Sequence, residues 1–268
     1  MTASPNDNPP DSPENVTGEI PGAFDILLYS LTLTKRFAGE LYGFAGYLFF
    51  PLLLLFGIQG LTGVVGDIAS AVVNVLFVAL SCWATAAMMT TISYRTTHPK
   101  KAPDPRSVGT HAMSVLSWLL IAVFLSALIQ FAGYILLIIP GIIATVLLTF
   151  TSEEVVLGGH GPISALAASR ARVQANFWPI AWRLLAIVLA FVIVYTAVGS
   201  AIVSIGSSLT DTPLESLLLE HTPLWLDVLL TVVQIIILPP MIAAHTVLYL
   251  STNSGKVGEK PEGAGSNT

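Results

Sequence analysis

Apolar and polar residues alternate along this chain in long blocks. Six apolar blocks come close to or exceed the about 20 residues that an α-helix needs to cross a hydrocarbon core of about 30 Å. We place them at 38–58, 67–92, 113–138, 141–158, 179–204 and 225–250. The pattern therefore predicts an all-α, polytopic membrane protein with six transmembrane helices.

The polar blocks between these segments predict three helical hairpins. A surface segment leads into a span that crosses outward, and the next span returns; this begins near residues 22, 104 and 162. Apolar residues recur at helical spacing before the first and fifth spans, which predicts amphipathic helices lying in the inner membrane interface. In the segment 158–177, the predicted apolar face consists of Ile163, Leu166, Ala167, Arg170, Val173 and Phe177.

Proline and glycine predict where the spans turn or bend. Ile139-Pro140-Gly141 predicts a very tight outer hairpin between the third and fourth spans, because proline cannot continue a helix and glycine permits a sharp reversal. The alternative is one long kinked helix, which would put Arg170 and Arg172 outside. In the first span, Gly39, Gly43 and Gly46 predict a close approach of another helix.

Basic residues orient the predicted bundle. All eleven lysines and arginines fall before the first span, in the second or fourth connection, at the start of the fifth span, or in the C-terminal tail. Cationic segments stay in the cytoplasm during insertion, so both termini are predicted to be cytoplasmic, in a prokaryotic plasma membrane. The polar ends, 1–21 and 251–268, are predicted to be disordered tails that flank a transmembrane domain at 22–250.

Composition agrees with a membrane location and limits the classes of partner to be expected. The chain is 54% apolar and 10% charged, whereas a soluble domain has about 25% charged residues. Because the basic residues form no long run, nucleic-acid binding is not expected. The expected partners are the lipid bilayer and, through the transmembrane helices, a protein partner or a second copy. Cys82 is the single cysteine, so an intramolecular disulfide is excluded.

Glu153 and Glu154 form the first candidate site. A rise of 1.5 Å per residue from Gly141 places Glu153 about 18 Å below the outer edge, inside the hydrocarbon core. Acids at this depth face the bundle interior or a wet cavity and have a partner. Arg170 and Arg183 are the predicted partners. Two interpretations stand: an ion-pair latch that fixes the surface helix, or a proton, cation or headgroup site.

Gln234, Pro239, Pro240 and His245 form the second candidate site. Two adjacent prolines remove two backbone donors near the middle of the sixth span, which predicts a kink or a break. Broken helices line binding sites in transporters, while a packing kink is the structural alternative. No cofactor is expected, since no second histidine matches the depth of His245. No metal-ligand spacing and no catalytic motif is present, so the chain is not expected to be an enzyme.

The chain also resembles a known family. Ile139-Pro140-Gly141, Ala165-Leu166, Ser169-Arg170 and Phe177-Trp178 resemble the membrane domain fused to some bacterial glycerophosphodiester phosphodiesterases, and its stand-alone YciC-like relatives. The opening helix, from Asp25-Ile26-Leu27 to Lys35-Arg36-Phe37, is similar as well. The resemblance spans most of 22–250 and implies a six-helix membrane bundle. It implies no enzymatic activity, because phosphodiesterase chemistry belongs to a separate soluble barrel in that family.

Together these observations favour a non-catalytic membrane protein: a structural or accessory subunit, or an envelope-maintenance factor. The alternative is a transporter or channel for a small solute, ion or lipid. It is motivated by the intramembrane acids and the two prolines, and it predicts a polar cavity that reaches Glu153 or Glu154. A membrane-embedded enzyme would have Glu153, Glu154 and His160 as its only candidate catalytic groups, and these are few.

Overall fold

The computed structural model describes residues 22–58, 62–98, 100–210 and 223–254, and every element within them is a helix. The predicted N-terminal tail and most of the predicted C-terminal tail lie outside these residues. The helices are α1 (Ala23–Arg36), α2 (Ala38–Gly46), α3 (Phe49–Ile58), α4 (Gly63–Thr97), α5 (Pro105–Leu136), α6 (Ile138–Leu147), α7 (Thr151–Val156), α8 (Pro162–Ala175), α9 (Phe177–Thr210) and α10 (Leu224–Ser254).

Five segments of the described chain are long and apolar enough to cross a membrane. Three of them are the helices α4, α5 and α9. The fourth is the segment Ile138–Val156, which contains α6 and α7, and the fifth is Trp225–Thr252 in α10. A sixth arises if α1 and Ala38–Leu54, which meet at an angle of 83°, count as one bent span. The predicted all-helical, multi-span fold is confirmed at this level.

The first predicted span is interrupted rather than continuous. Helix α2 ends at Gly46 and α3 begins at Phe49, so Pro51 lies in the first turn of α3, where a missing backbone N–H breaks no helical hydrogen bond. The close helix approach that Gly39, Gly43 and Gly46 would allow is not made by the described residues. A Cβ atom built on any of the three would meet no described atom within 4 Å. The buried face of α2 carries larger residues instead, including Leu41 and Phe44.

The turn between α5 and α6 consists of Leu137 alone. Ile139-Pro140-Gly141 belongs to the first turn of α6 rather than to the turn itself, because proline is compatible with a helix start. The two helices then run side by side, with Thr145 Oγ1 lying 3.1 Å from Tyr134 Oη. Glycine permits this approach: a Cβ at Gly133 would lie 3.0 Å from the Cα of Gly141.

Helix α10 continues through Pro239 and Pro240, so the predicted break in the sixth span is absent. Proline at position 240 has no N–H to offer the carbonyl of Ile236, four residues earlier. The hydroxyl of Tyr42 in α2 donates to that carbonyl at 2.9 Å. A distant helix therefore supplies the hydrogen bond that the proline removes, and the helix stays intact.

This hydrogen bond predicts that the stability cost of replacing Tyr42 depends on whether residue 240 is proline. Tyr42→Phe should lower the free energy of unfolding by about 1–3 kcal/mol, because the Ile236 carbonyl would be left unpaired in a part of the helix where lipid offers no hydrogen bond. In a Pro240→Ala background the new N–H at position 240 can serve the Ile236 carbonyl, so the same change should cost much less. SDS titration followed by tryptophan fluorescence measures all four proteins, with Tyr47→Phe as the control. Equal costs in both backgrounds would contradict this dependence.

Helix α8 packs on the protein through a face that differs from its apolar face. Its buried residues are Ala165, Ser169 and Val173, whereas Ile163 is 77% exposed and Arg170 is exposed. The buried side lies roughly a quarter turn from the apolar face that the pattern assigned to the membrane interface. The reason is that α8 packs on a polar interruption of the fourth predicted span, where small and hydrogen-bonding side chains fit better than large apolar ones.

Candidate functional site

The site is built around an interruption in the fourth predicted span. Helix α6 ends at Leu147, α7 begins at Thr151, and residues 148–150 form turns. The backbone N–H of Phe150 donates to Ser169 Oγ at 3.1 Å, and that hydroxyl donates to the carbonyl of Leu147 at 2.9 Å. One buried serine of α8 thus satisfies backbone groups on both sides of the interruption.

Beyond the interruption, both predicted acids point into the protein. The relative exposure of Glu153 is 0% and that of Glu154 is 1%. Successive helical residues are separated by about 100° around the axis, since a turn takes 3.6 residues. The two carboxylates therefore meet different neighbours: Glu153 faces α10, and Glu154 faces α8.

Glu154 is the anion of an ion pair with α8. Arg172 Nε donates to its Oε1 at 2.7 Å, and His160 Nδ1 lies 3.3 Å from its Oε2. The guanidinium also reaches α10, where it donates to Tyr249 Oη at 3.3 Å and to Thr252 Oγ1 at 3.4 Å. Its carbon lies 4.3 Å from the centroid of the Tyr249 ring. This cluster joins α7, α8 and the end of α10.

Glu153 has a different partner: it contacts a histidine, which in turn contacts a threonine. Its Oε1 lies 2.5 Å from His245 Nδ1, and His245 Nε2 lies 3.0 Å from Thr149 Oγ1. Its Oε2 is buried and has no hydrogen-bond partner among the described residues. When Glu153 is ionised, Nδ1 carries the shared proton; Nε2 then accepts from Thr149 if the imidazole is neutral and donates to it if the imidazole is protonated. The result is a chain of hydrogen bonds from the carboxylate to the Thr149 hydroxyl.

The partners of the two acids differ from those that the pattern predicted. Arg170 is exposed, and Arg183 Nη1 donates to the carbonyl of Pro179 at 2.9 Å. Among the contacts between described residues, neither of these arginines bonds to Glu153 or Glu154. Arg172, placed by the pattern on another face of α8, is the cation instead. The spacing of Ala165, Ser169 and Arg172, a stripe of small and polar residues, was the available signal.

The second predicted site does not assemble as a unit. His245 joins the Glu153 cluster, about 8–16 Å along α10 from the other members of its predicted set. Gln234 is exposed, while Pro239 and Pro240 are buried in packing contacts of α10. The sequence therefore identified His245 as a candidate without identifying its partner. The real interruption, at residues 148–150, carries no proline or glycine and so gave no local signal.

A pocket of about 330 Å³ lies beside the interruption, between α5 and the α6–α7 segment. Hydroxyl and amide side chains dominate its lining, and we call it the hydroxyl-lined pocket. The lining residues are Val123, Ser126, Ala127, Gln130, Thr145, Leu148, Thr149, Thr151 and Ser152. Thr149 belongs both to this pocket and to the His245–Glu153 chain. The Oγ of Ser126 is buried without a hydrogen-bond partner.

A second ion pair ties the start of α2 to the end of α4. Arg95 donates to both carboxylate oxygens of Glu40, and its guanidinium carbon lies 4.3 Å from the centroid of the Phe37 ring. Sequence reasoning did not identify this pair. Within the described residues, no group of three or more histidine, cysteine, aspartate or glutamate side chains is arranged to hold a metal ion.

The role of Ser169 leads to a direct prediction. Ser169→Ala should lower the free energy of unfolding by about 1–3 kcal/mol, because it leaves the buried Phe150 N–H without an acceptor. Ser164→Ala on the exposed side of the same helix should change it by no more than about 0.5 kcal/mol. Denaturation of both variants in the same detergent measures the difference. A Ser169→Ala protein as stable as the Ser164→Ala control would show that the interruption does not need this hydroxyl.

Comparison with known proteins adds no relative. A scan against protein-family models found no match, and neither did searches of curated proteins and of solved structures. The resemblance to the membrane domain of the phosphodiesterase family therefore stays a prediction. Function is inferred from the geometry of the chain's own residues.

Proposed function

We propose that this protein is a non-catalytic, multi-pass membrane protein that acts as a structural or accessory subunit or as an envelope-maintenance factor. The observation that carries this proposal is the pairing of Glu154 with Arg172. Both charges are consumed by contacts within the chain, and the contacts join three helices. Such an arrangement stabilises one packing of the bundle and leaves neither charge poised for chemistry.

The pairing acts as a latch between a surface helix and the bundle. Removing one member of a buried pair leaves an uncompensated charge, so α8 cannot leave the bundle without a large cost. Ser169 adds to the latch by bonding both sides of the interruption in the fourth span. We therefore assign Glu154, Arg172 and Ser169 to positioning α8 at the membrane surface.

The proposed topology has six spans in three hairpins, with α1 and α8 as amphipathic helices at the cytoplasmic face of a plasma membrane. The one-sided distribution of basic residues supports cytoplasmic termini. The contact of Arg172 with Thr252 supports it too, because it brings the end of α10 next to α8. Ile26 of α1 packs with Leu248 and Tyr249 at the same end.

A pair of reporter fusions tests the topology. Green fluorescent protein fused after Thr268 should fluoresce, and alkaline phosphatase at the same position should be inactive, if the C-terminus is cytoplasmic. The same two reporters fused within the connection between α9 and α10 should give the opposite pattern. Active phosphatase after Thr268 would overturn the proposed orientation. The resemblance to the phosphodiesterase membrane domain and the pattern of apolar blocks each support six spans.

Isolation in native lipid tests the subunit role. Detergent-free extraction followed by mass spectrometry should recover a fixed protein partner in constant ratio to the chain. An unrelated six-span membrane protein carrying the same tag, extracted in parallel, controls for chance retention. A monodisperse monomer with no retained protein would contradict the accessory role.

A second candidate function is transport of a small solute. The hydroxyl-lined pocket favours it, because Thr149 links that pocket to buried Glu153 through His245. Flux into proteoliposomes should then fall in a Glu153→Gln, Glu154→Gln double variant and persist in Asp25→Asn, which changes an exposed acid. Equal flux in the wild-type and double-variant vesicles would remove the two acids, and with them the main support, from the transport candidate.

A further inference from the structure

The hydroxyl-lined pocket lies at a depth where lipid offers no hydrogen bonds. Its α5 residues, 123–130, precede the Leu137 turn by 7 to 14 residues. A rise of about 1.5 Å per residue puts them about 10–20 Å from that turn, inside a hydrocarbon core of about 30 Å. Polar groups at this depth must be satisfied by the protein, by water or by a ligand.

The described residues do not satisfy all of them. Ser126 is 7% exposed, yet its Oγ has no hydrogen-bond partner within the described parts of the chain. Buried polar groups are rarely left unpaired, so an unpaired one in a lined pocket points to an occupant. The pocket volume of about 330 Å³ falls in the range of ligand sites, about 300–1,000 Å³.

The opposite wall is polar as well. Thr149 Oγ1 lies 3.0 Å from His245 Nε2, and the other ring nitrogen faces Glu153. A neutral imidazole with its proton on Nδ1 accepts from Thr149, whereas an imidazolium donates to it. In both states the Thr149 hydroxyl keeps hydrogen-bonding capacity for a ligand. The Gln130 amide and the Ser126 hydroxyl can both donate and accept.

No charged side chain lines the pocket. An ionic ligand would lose its hydration without gaining a counter-charge, which is costly at this depth. We propose that the hydroxyl-lined pocket binds a small, uncharged solute that carries hydroxyl or amide groups. This deepens the transport candidate by naming its substrate class, and binding is measured apart from flux, so that either can fail alone.

Cysteine labelling at two adjacent positions tests whether the pocket is open to such a solute. Ala127 and Leu128 are both exposed and lie at nearly the same depth, but only Ala127 lines the pocket. In a Cys82→Ala background, Ala127→Cys should react with iodoacetamide, itself a small uncharged amide, faster than Leu128→Cys. Erythritol, a small polyol, should slow the reaction at position 127 and leave that at position 128 unchanged.

A third variant ties the protection to a pocket residue. Ser126→Ala removes a hydroxyl without breaking any protein contact, so the fold should persist. It should weaken protection by erythritol about two- to tenfold, the range that one net hydrogen bond contributes. Ser114→Ala, on an exposed part of α5 outside the pocket, should leave protection unchanged.

Several results would overturn the inference. Equal labelling rates at 127 and 128, or rates that erythritol leaves unchanged, would do so. Labelling at 127 that is slow in native membranes but fast in purified protein would mean that a partner chain fills the pocket. Protection without erythritol influx into proteoliposomes would instead end the transport candidate and leave the binding inference standing.

Discussion

Arg172→Ala is expected to lower the free energy of unfolding by about 3–5 kcal/mol, the cost of leaving a buried charge without its partner. Glu154 would lose its cation and retain His160 at 3.3 Å, and Tyr249 and Thr252 would each lose a contact with the guanidinium. SDS denaturation followed by tryptophan fluorescence measures the loss. The size of the effect follows from burial, since Glu154 is 1% exposed.

Arg170→Ala provides the matched control. The residue lies on the same helix, two positions earlier, and is exposed. Its removal should change the free energy of unfolding by no more than about 0.5 kcal/mol. A double variant, Glu154→Gln with Arg172→Met, should recover much of the lost stability, because it removes both charges together. If Arg172→Ala and Arg170→Ala cost the same, the latch has no energetic role.

His245→Leu is expected to cost a similar amount, about 3–5 kcal/mol, because Glu153 would lose the one partner that its carboxylate has among the described residues. Within the same residues the second oxygen of Glu153 has no hydrogen bond, and the side chain is fully buried. His245→Asn should recover part of the loss, since the asparagine N–H can donate to Glu153 from near the position of Nδ1. The same denaturation assay compares the two variants.

His98→Leu is the control for this second prediction. His98 is exposed at the end of α4, where its ring stacks on Tyr94. Its replacement should stay within about 0.5 kcal/mol of the wild-type stability. Wild-type stability in His245→Leu would mean that Glu153 needs no partner, which would contradict the charge assignment and favour a protonated acid.

The two acids illustrate how far the sequence alone could go. Their position beyond Gly141 on an apolar segment predicted burial, and both are buried. Their partners could not be predicted in the same way. The helical pattern of α8 indicates which residues share a face, but the choice between Arg170 and Arg172 depends on how α8 is rotated against its neighbours.

That rotation is hard to read from a membrane sequence for a physical reason. In a soluble protein the apolar stripe marks the buried side, because the other side meets water. In a bilayer both sides meet apolar surroundings, and small or polar residues mark helix contacts instead. The burial of Ser169 and the exposure of Ile163 follow this rule.

The sequence by itself determined that the chain forms several helices long and apolar enough to span a membrane, because a bilayer admits only segments whose backbone bonds are satisfied internally. It also singled out Glu153, Glu154 and His245. Only the tertiary structure decided which helix is broken. The Pro240 gap in α10 is bridged by Tyr42 from a helix far away in sequence, while α6 and α7 separate where Ser169 can bond both sides. Both outcomes depend on long-range hydrogen bonds, which no local pattern encodes.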